Sequence, residues 1–392
     1  GLGTSTPQEG REYFRDLDKH RKDFIWEDEL DGNAIELAFS KKKAEDRKTW
    51  IRNFEPGTCR DHEAKLINYK DFVNKELILF SRADLQRSIP SMVDGLKPGQ
   101  RKILFCSFKK KLVKEIKVGQ FIGYVSEHSA YHHGEQSLAS TIIGMAQDFV
   151  GSNNINLLKP NGQFGTRNLG GKDHASSRYI YTELNTVTRC LFHEDDDKLL
   201  EYLNEEGRSI EPNWYIPIIP LVLVNGSEGI GTGWSSYIPN YNPREIIGNV
   251  RRLLNEEEMV PMDPWYRGFR GTIEKSAKEG GYIVSGSVVE IDEQTFRITE
   301  LPIRKWTQDY KQFLESITDG TPNVKDPLIE DFRQNGDDAI IDIEVKMKPE
   351  KIASIMQEGL FKKFKLTNTI STSNMHLFDA EGKIKKFDTP EQ

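Results

Sequence analysis

The run Arg87-Ser88-Ile89-Pro90-Ser91-Met92-Val93-Asp94-Gly95-Leu96-Lys97-Pro98-Gly99-Gln100-Arg101-Lys102-Ile103-Leu104-Phe105 decides how the first half of the chain is read. Pro90, Gly95 and the Pro98-Gly99 pair interrupt short apolar runs such as Ile103-Leu104-Phe105, which is the punctuation of compact helices in a helix-turn-helix arrangement. The same run opens a positive island. From Arg87 to Lys117 stand Arg87, Lys97, Arg101, Lys102, Lys109, Lys110, Lys111, Lys114 and Lys117 against only Asp94 and Glu115, although the chain as a whole carries a net charge of -7. A solvated helix face is one explanation, but such faces usually mix their signs more evenly. A segregated basic patch is the footprint of a nucleic-acid partner.

Before this run, Thr6-Pro7-Gln8-Glu9 places Thr at a helix cap, Pro at the first helical position and Glu three residues after the cap, so a helix is expected from there to about Lys19. The charged stretch from Phe39 through Lys70, with Pro56-Gly57 inside it, reads as a short basic helix and a connector, with a domain boundary near Ile67. After the island, Leu138, Ile142, Met145 and Phe149 recur at helical spacing, predicting a helix from Gly134 to Val150 stopped by Gly151. A glycine-rich stretch, Gly162 to Arg167 through Gly170-Gly171, then feeds the β-prone Arg178-Tyr179-Ile180-Tyr181-Thr182. Tyr215 to Val224 reads as a buried extended run, ending at the four glycines between Gly226 and Gly233. A different texture begins near Asn242-Pro243: a helix through Ile246, Val250 and Leu253, then alternating strands at Phe296 and Ile298 and at Ile341 to Met347. Glu350 to Lys365 reads as an amphipathic helix and Met375 to Phe378 as a further strand.

At 392 residues and 45.0 kDa the chain can build two or three domains with sizeable cores. No window approaches the ~20 apolar residues needed to span a bilayer, which excludes a helical membrane protein. Cys59, Cys106 and Cys190 lie far apart without zinc or disulfide spacing, so a reducing compartment fits best. The chain opens at Gly1 and stops after Phe387 to Gln392 without a terminal signal, so both ends read as cut and targeting signals are expected elsewhere.

On residue types alone, Tyr179 has the surroundings of a phosphoryl-transfer nucleophile: Arg178 beside it, a loop with Arg167 and Lys172 before it, and His132-His133 and the island upstream. A phenol with a reference pKa near ~10 is a poor nucleophile until cations or donors favour its anion. Arg178 could supply that and neutralise charge on the phosphate oxygens. The alternative is that Tyr179 is one of 13 tyrosines, its ring in a sheet. His132 and His133 suit donation to a phosphate better than metal binding, since no ligand-spaced partner is near. The Gly226 to Gly233 loop lacks the Gly-Lys-Ser/Thr of a phosphate-binding loop and the dinucleotide spacing, as does Gly1-Leu2-Gly3. Ile230, held out by glycines, could wedge between base pairs, or it could be a core residue.

Taken in order, Arg87 to Lys102, Tyr131-His132-His133-Gly134-Glu135, Gly162 to Arg167, Arg178-Tyr179-Ile180 and Val224-Asn225-Gly226 through Gly233-Trp234 resemble the DNA breakage-reunion core of the eukaryotic type II topoisomerases. The resemblance implies an α+β multidomain chain: a TOPRIM tail and linker at 1–66, a winged-helix domain carrying the catalytic tyrosine at 67–208, a tower domain at 209–365, and 366–392 leading toward a coiled-coil gate. Gly1-Leu2-Gly3-Thr4-Ser5-Thr6 looks like the end of the TOPRIM domain, and Leu301-Pro302 with Trp306-Thr307 like the tower. It implies that Tyr179 becomes joined to a 5′ DNA end, that Arg178 stabilises the transition state, and that Arg87, Lys97 and His133 surround the scissile phosphate. Lys41, Lys42, Lys97, Arg101, Lys102, Tyr131 and Trp306 are implied to touch DNA, and Ile230 to intercalate and bend it. The implied enzyme makes a transient double-strand break and passes a second duplex through it, as a nuclear homodimer driven by ATP. Magnesium is implied at carboxylates upstream of Gly1, with no metal ligand in this stretch and no membrane partner, and the stretch alone is expected to be inactive or incomplete. A non-catalytic DNA-bending winged-helix module and a nucleotide-binding enzyme are the other classes.

Overall fold

Thr6 begins the first helix as its cap: its hydroxyl accepts from the Glu9 N–H at 3.3 Å while the Glu9 carboxylate accepts from the Thr6 N–H at 2.7 Å. In the computed structural model residues 5–392 are described, so the Gly1 to Thr4 part of the TOPRIM-like motif lies outside them. The chain divides into two units, one running to Pro90 and including 228–236, the other comprising 91–227 and 237–392.

In the first unit, α1 (Pro7–Arg15) ends at Asp16 and a single turn, α2 (Leu17–His20), follows, so the expected helix is broken in two. Strand β1 (Asp23–Ile25) pairs in parallel with β2 (Leu66–Asn68). Between them lie α3 (Glu29–Phe39) and α4 (Ala44–Arg52); after them, α5 (Tyr69–Phe72), a π-helical turn (Val73–Leu77) and α6 (Ile78–Ser88). The boundary expected near 66 therefore falls inside this unit. The reason is the buried Asp31, whose carboxylate accepts from the N–H groups of Glu27 (2.8 Å) and Lys70 (2.9 Å) and so knits the chain after residue 66 to the helix before it.

In the second unit, α7 (Pro98–Lys109) carries Pro98 at its first position, and Gln100 reaches back to the Lys97 N–H at 2.9 Å. Next come β3 (Ile116–Lys117), α8 (Val118–Ser129) and α9 (Glu135–Ala146), and the three helices bury Leu104, Phe121, Val125, Leu138 and Ile142 in one core. Helix α9 stops at Ala146, short of Val150, because the Asn153 amide donates to the Gly144 and Gln147 carbonyls at 2.8 and 2.9 Å and replaces the next helical turn. Strand β4 (Tyr181–Thr182) pairs antiparallel with β3; α10 (Thr188–Leu191) and the hairpin of β5 (Tyr202–Glu205) and β6 (Arg208–Pro212) follow. The run to Val224 is not extended throughout: beyond Pro220 it winds into α11 (Leu221–Asn225), burying Leu221, Val222 and Val224. Next in the chain is a hairpin of β7 (Ser227–Ile230) and β8 (Ser235–Ile238), whose residues 228–236 belong to the first unit, and the second unit resumes with the Asn242-capped α12 (Pro243–Leu254).

The rest is sheet with helices against it. Strands β9 (Thr272–Lys275) and β10 (Gly281–Ser285) precede β11 (Ser287–Glu290), β12 (Thr295–Glu300), α13 (Thr307–Glu315), β13 (Ile329–Gln334) and β14 (Ile343–Met347). The last four strands form an antiparallel sheet in the order β11-β12-β14-β13, whose inward residues Phe296, Ile298, Ile343 and Val345 pack with Tyr310 and Leu314 of α13. The helix expected from 350 to 365 is cut by Gly359, at a φ of +97°, into α14 (Ile352–Glu358) and α15 (Leu360–Lys363). Strand β15 (Thr367–Ser371) then joins β10, and β16 (Met375–Phe378) pairs with β17 (Ile384–Phe387). Within residues 366–392, Met375, Leu377 and Phe387 bury themselves beside Val222 and Ile238, and the Met92 N–H donates to the Phe378 carbonyl at 2.8 Å.

Candidate active site

Tyr179 is held at the start of α8. The N–H groups of Val118 and Gly119, which have no partner within a helix, donate to the Ile180 and Ser177 carbonyls at 3.0 Å each. These bonds grip the chain on either side of Arg178-Tyr179, and the Tyr179 N–H closes a turn onto the Ser176 carbonyl at 2.9 Å. Ile180 is the plug, 1% exposed in the helical core, whereas the Tyr179 ring is 70% exposed and Arg178 is exposed beside it. Anchoring by backbone and one apolar neighbour leaves the phenol hydroxyl free for a reactant.

Behind this turn lies the glycine-rich loop. Gly165, at a φ of +99°, sits where a Cβ would come within 2.5 Å of the Gly171 backbone, so the two strands of the loop can close only on glycine. Asp173 accepts from the Thr166 N–H at 2.9 Å, Gln147 donates to the Phe164 carbonyl at 2.9 Å, and the Ala175 N–H donates to the Gln163 carbonyl at 2.9 Å. Arg167 points inward, 4% exposed, and pairs with the fully buried Glu300 carboxylate.

Other sequence-predicted residues of this unit gather at the ends of α7, α8 and α9. Lys97 is half-buried at the start of α7, and the Tyr131 ring meets the exposed His133 ring edge-on at 5.4 Å while its hydroxyl bonds the Ser137 hydroxyl at 2.9 Å. The His132 ring is 2.9 Å from Glu205 of β5. Among the described residues no group of three or more His, Cys, Asp or Glu side chains could hold a metal ion.

The family profile for the A-type subunit of DNA gyrase and topoisomerase IV matches residues 87–392, and the profile for the C-terminal associated domain of TOPRIM matches 1–85. The chain belongs to the type II DNA topoisomerase family. It is 87% identical to DNA topoisomerase 2 of Pisum sativum over its whole length, covering 25% of that protein, and 52% identical to DNA topoisomerase 2-alpha of Homo sapiens over 99% of its length, covering 26%. The chain thus spans about a quarter of the length of these curated relatives. The crystal structure of the Plasmodium falciparum topoisomerase II DNA-binding, cleavage and re-ligation domain superposes on all of it with a TM-score of 0.84 at 54% identity, covering 53% of that chain.

Side-chain placement bears on three of the expected DNA contacts. Arg101 is 7% exposed, and its guanidinium is spent on Asp94 (Nε to Oδ2, 2.7 Å; Nη2 to Oδ1, 3.0 Å) and on the Leu96 carbonyl at 2.9 Å. Lys102 bonds Glu211 at 2.8 Å and the Ser129 carbonyl, with its side chain 14% exposed. Both cations hold α7 in place and face no solvent-side phosphate. Trp306 is half-buried, its indole edge-on to Phe149 at 5.7 Å and so close to Gly170 that a Cβ there would fall 2.4 Å from it. Its ring thus lies against both Phe149 and the glycine loop.

In the first unit, Lys41 and Lys42 are exposed on a turn capped by Ser40, and Ile230 stands 85% exposed on its hairpin, which removes the core alternative for it. Arg87 Nη2 meets Asp84 Oδ1 at 3.0 Å, and Asp84 Oδ2 accepts from the Thr232 hydroxyl at 3.1 Å, tying α6 to the hairpin loop. Sequence reasoning missed Asp94, Glu211 and Glu300 as partners. Only Asp94 carried a local signal, as the acid of an Asp-Gly turn seven residues before an arginine; Glu211 and Glu300 lie 109 and 133 residues from their cations.

Proposed function

We propose that this chain is the DNA-breaking and rejoining core of a type II topoisomerase, with Tyr179 as the nucleophile. The observation that carries the reading is the exposed hydroxyl on a turn pinned from both sides, with Arg178 next to it. In the proposed step the Tyr179 oxygen attacks phosphorus in line, the new O–P bond joins the protein to a 5′ DNA end, and the P–O bond to the 3′ oxygen breaks; that oxygen takes up the proton the phenol gives away. One phosphodiester is exchanged for another, so rejoining needs no outside energy. Arg178 neutralises charge on the phosphate oxygens, and Lys97, His133 and Arg87 are assigned as further donors. Lys41, Lys42 and Tyr131 are assigned to the DNA backbone, and Ile230 to a wedge between base pairs.

Finer assignments belong to the same proposal: the first unit as the TOPRIM-associated tail, the helical part of the second as a winged helix, its sheets as the tower. Two strands call for two copies of Tyr179, hence a symmetric homodimer, with ATP and magnesium used by the whole protein and a nuclear location. No helix among the described residues is long and apolar enough to cross a membrane. The test is to incubate the whole protein with plasmid and magnesium and stop the reaction with denaturing detergent. Linear DNA with protein on its 5′ ends, and free 3′ ends, is expected; DNA that is bent but never covalently held would leave only the bending module. Ile230→Ala is expected to fold normally, since it removes an exposed side chain, and to bend DNA less by energy-transfer measurement on end-labelled duplexes. An unchanged bend angle would remove the wedge assignment.

A further inference from the structure

The glycine loop behind Tyr179 is held by the segment that leaves the four-stranded sheet. Glu300 is the last residue of β12, and its carboxylate is fully buried. It takes both guanidinium arms of Arg167, and also accepts from the N–H groups of Arg270 (3.1 Å) and Leu301 (2.9 Å). A carboxylate with four donors is a rigid anchor, fixed from the sheet side before it meets the arginine. Farther along the same segment, the Thr307 and Gln308 N–H groups donate to the Arg167 and Asn168 carbonyls at 3.3 and 3.0 Å, and Trp306 lies against Gly170. From the loop the path to the tyrosine is short: Ala175 is bonded to Gln163 four residues before Tyr179, and Gly162 sits behind Ile180, where a Cβ would meet the Ile180 side chain at 3.1 Å.

We infer that Arg167, Glu300 and Trp306 are positioning residues, a clamp through which the four-stranded sheet sets the placement of the Tyr179 turn. The inference rests on the proposed role of Tyr179. None of the three touches the reacting atoms; they act by fixing the loop on which the turn is built. Reactant placement is steep in its effect, a misplacement of about 1 Å costing on the order of 100-fold in rate.

The test uses the whole protein with saturating nicked duplex and magnesium, and reads the single-turnover rate of covalent DNA formation beside DNA affinity and thermal unfolding. Glu300→Gln keeps an acceptor for the two N–H groups but removes the charge partner, and Arg167→Lys keeps the charge but loses the two-armed grip. Both are expected to bind DNA with wild-type affinity and to form the covalent product roughly 10-fold or more slowly. A rate within two-fold of wild type from folded variants overturns the clamp. Should the single variants unfold, the apolar exchange Arg167→Met with Glu300→Leu carries the test, since it removes the buried charges together: slow cleavage supports the clamp and wild-type cleavage overturns it. Tyr179→Phe is run alongside. If it still forms covalent DNA, the reading of Tyr179 fails; if it forms none while the clamp variants cleave normally, only this inference fails.

Discussion

Tyr179→Phe in the whole protein is expected to bind duplex DNA as tightly as wild type and to form no covalent product, a loss of about 10⁴-fold or more in cleavage. The substitution removes one oxygen from a ring that is 70% exposed. Its neighbours in the turn are held by backbone groups, through Val118 and Gly119 to Ser177 and Ile180. Stability should therefore stay within about 0.5 kcal/mol of wild type, the usual range for surface changes. Unfolding by heat or urea checks the fold, and detergent trapping of labelled DNA checks the chemistry. Persistent covalent product would move the nucleophile to another residue.

The largest stability effect is expected at Asp94, a residue given no part in the proposed chemistry. Its carboxylate is fully buried and accepts from Arg101 twice, from the Leu96 N–H at 3.0 Å and from the Tyr215 N–H at 2.9 Å. Asp94→Ala leaves a guanidinium that is 7% exposed without its counter-charge, together with two buried N–H groups without acceptors. Breaking a buried pair in this way costs about 3–5 kcal/mol, and the orphaned N–H groups add to it. Denaturant unfolding should show that loss, and adding Arg101→Met should recover part of it, because the uncompensated charge then disappears. A change below about 1 kcal/mol would mean that Arg101 reaches solvent in solution and is available to a phosphate after all.

What was legible in the sequence is what short-range chemistry fixes. The Thr6 capping box, the Asn242-capped helix and the alternation of β12 and β14 all follow from residues within a few positions of one another. Elements decided by distant partners were misjudged. Asn153, beyond the end of α9, cuts the helix short by taking the Gly144 and Gln147 carbonyls. The site divides along the same line. A positive island announces cations but not which of them are already spent, and Arg101 and Lys102 are spent on Asp94 and Glu211. Arg178 and the cations nearby made Tyr179 one candidate among the tyrosines and the ordered run of motifs singled it out. Its outward ring on an anchored turn was not legible, because it depends on backbone bonds from Val118 and Gly119, far back in the chain.

The most direct test is chemical mapping of the bond itself. The whole protein is trapped on radiolabelled duplex with magnesium and detergent, digested with trypsin and nuclease, and the nucleotide-bearing peptide is fragmented in a mass spectrometer. The account predicts one peptide, beginning after Arg178, with a nucleotide phosphate on the Tyr179 oxygen. A nucleotide found on any other side chain, or covalent DNA whose peptide leaves Tyr179 unmodified, would contradict it.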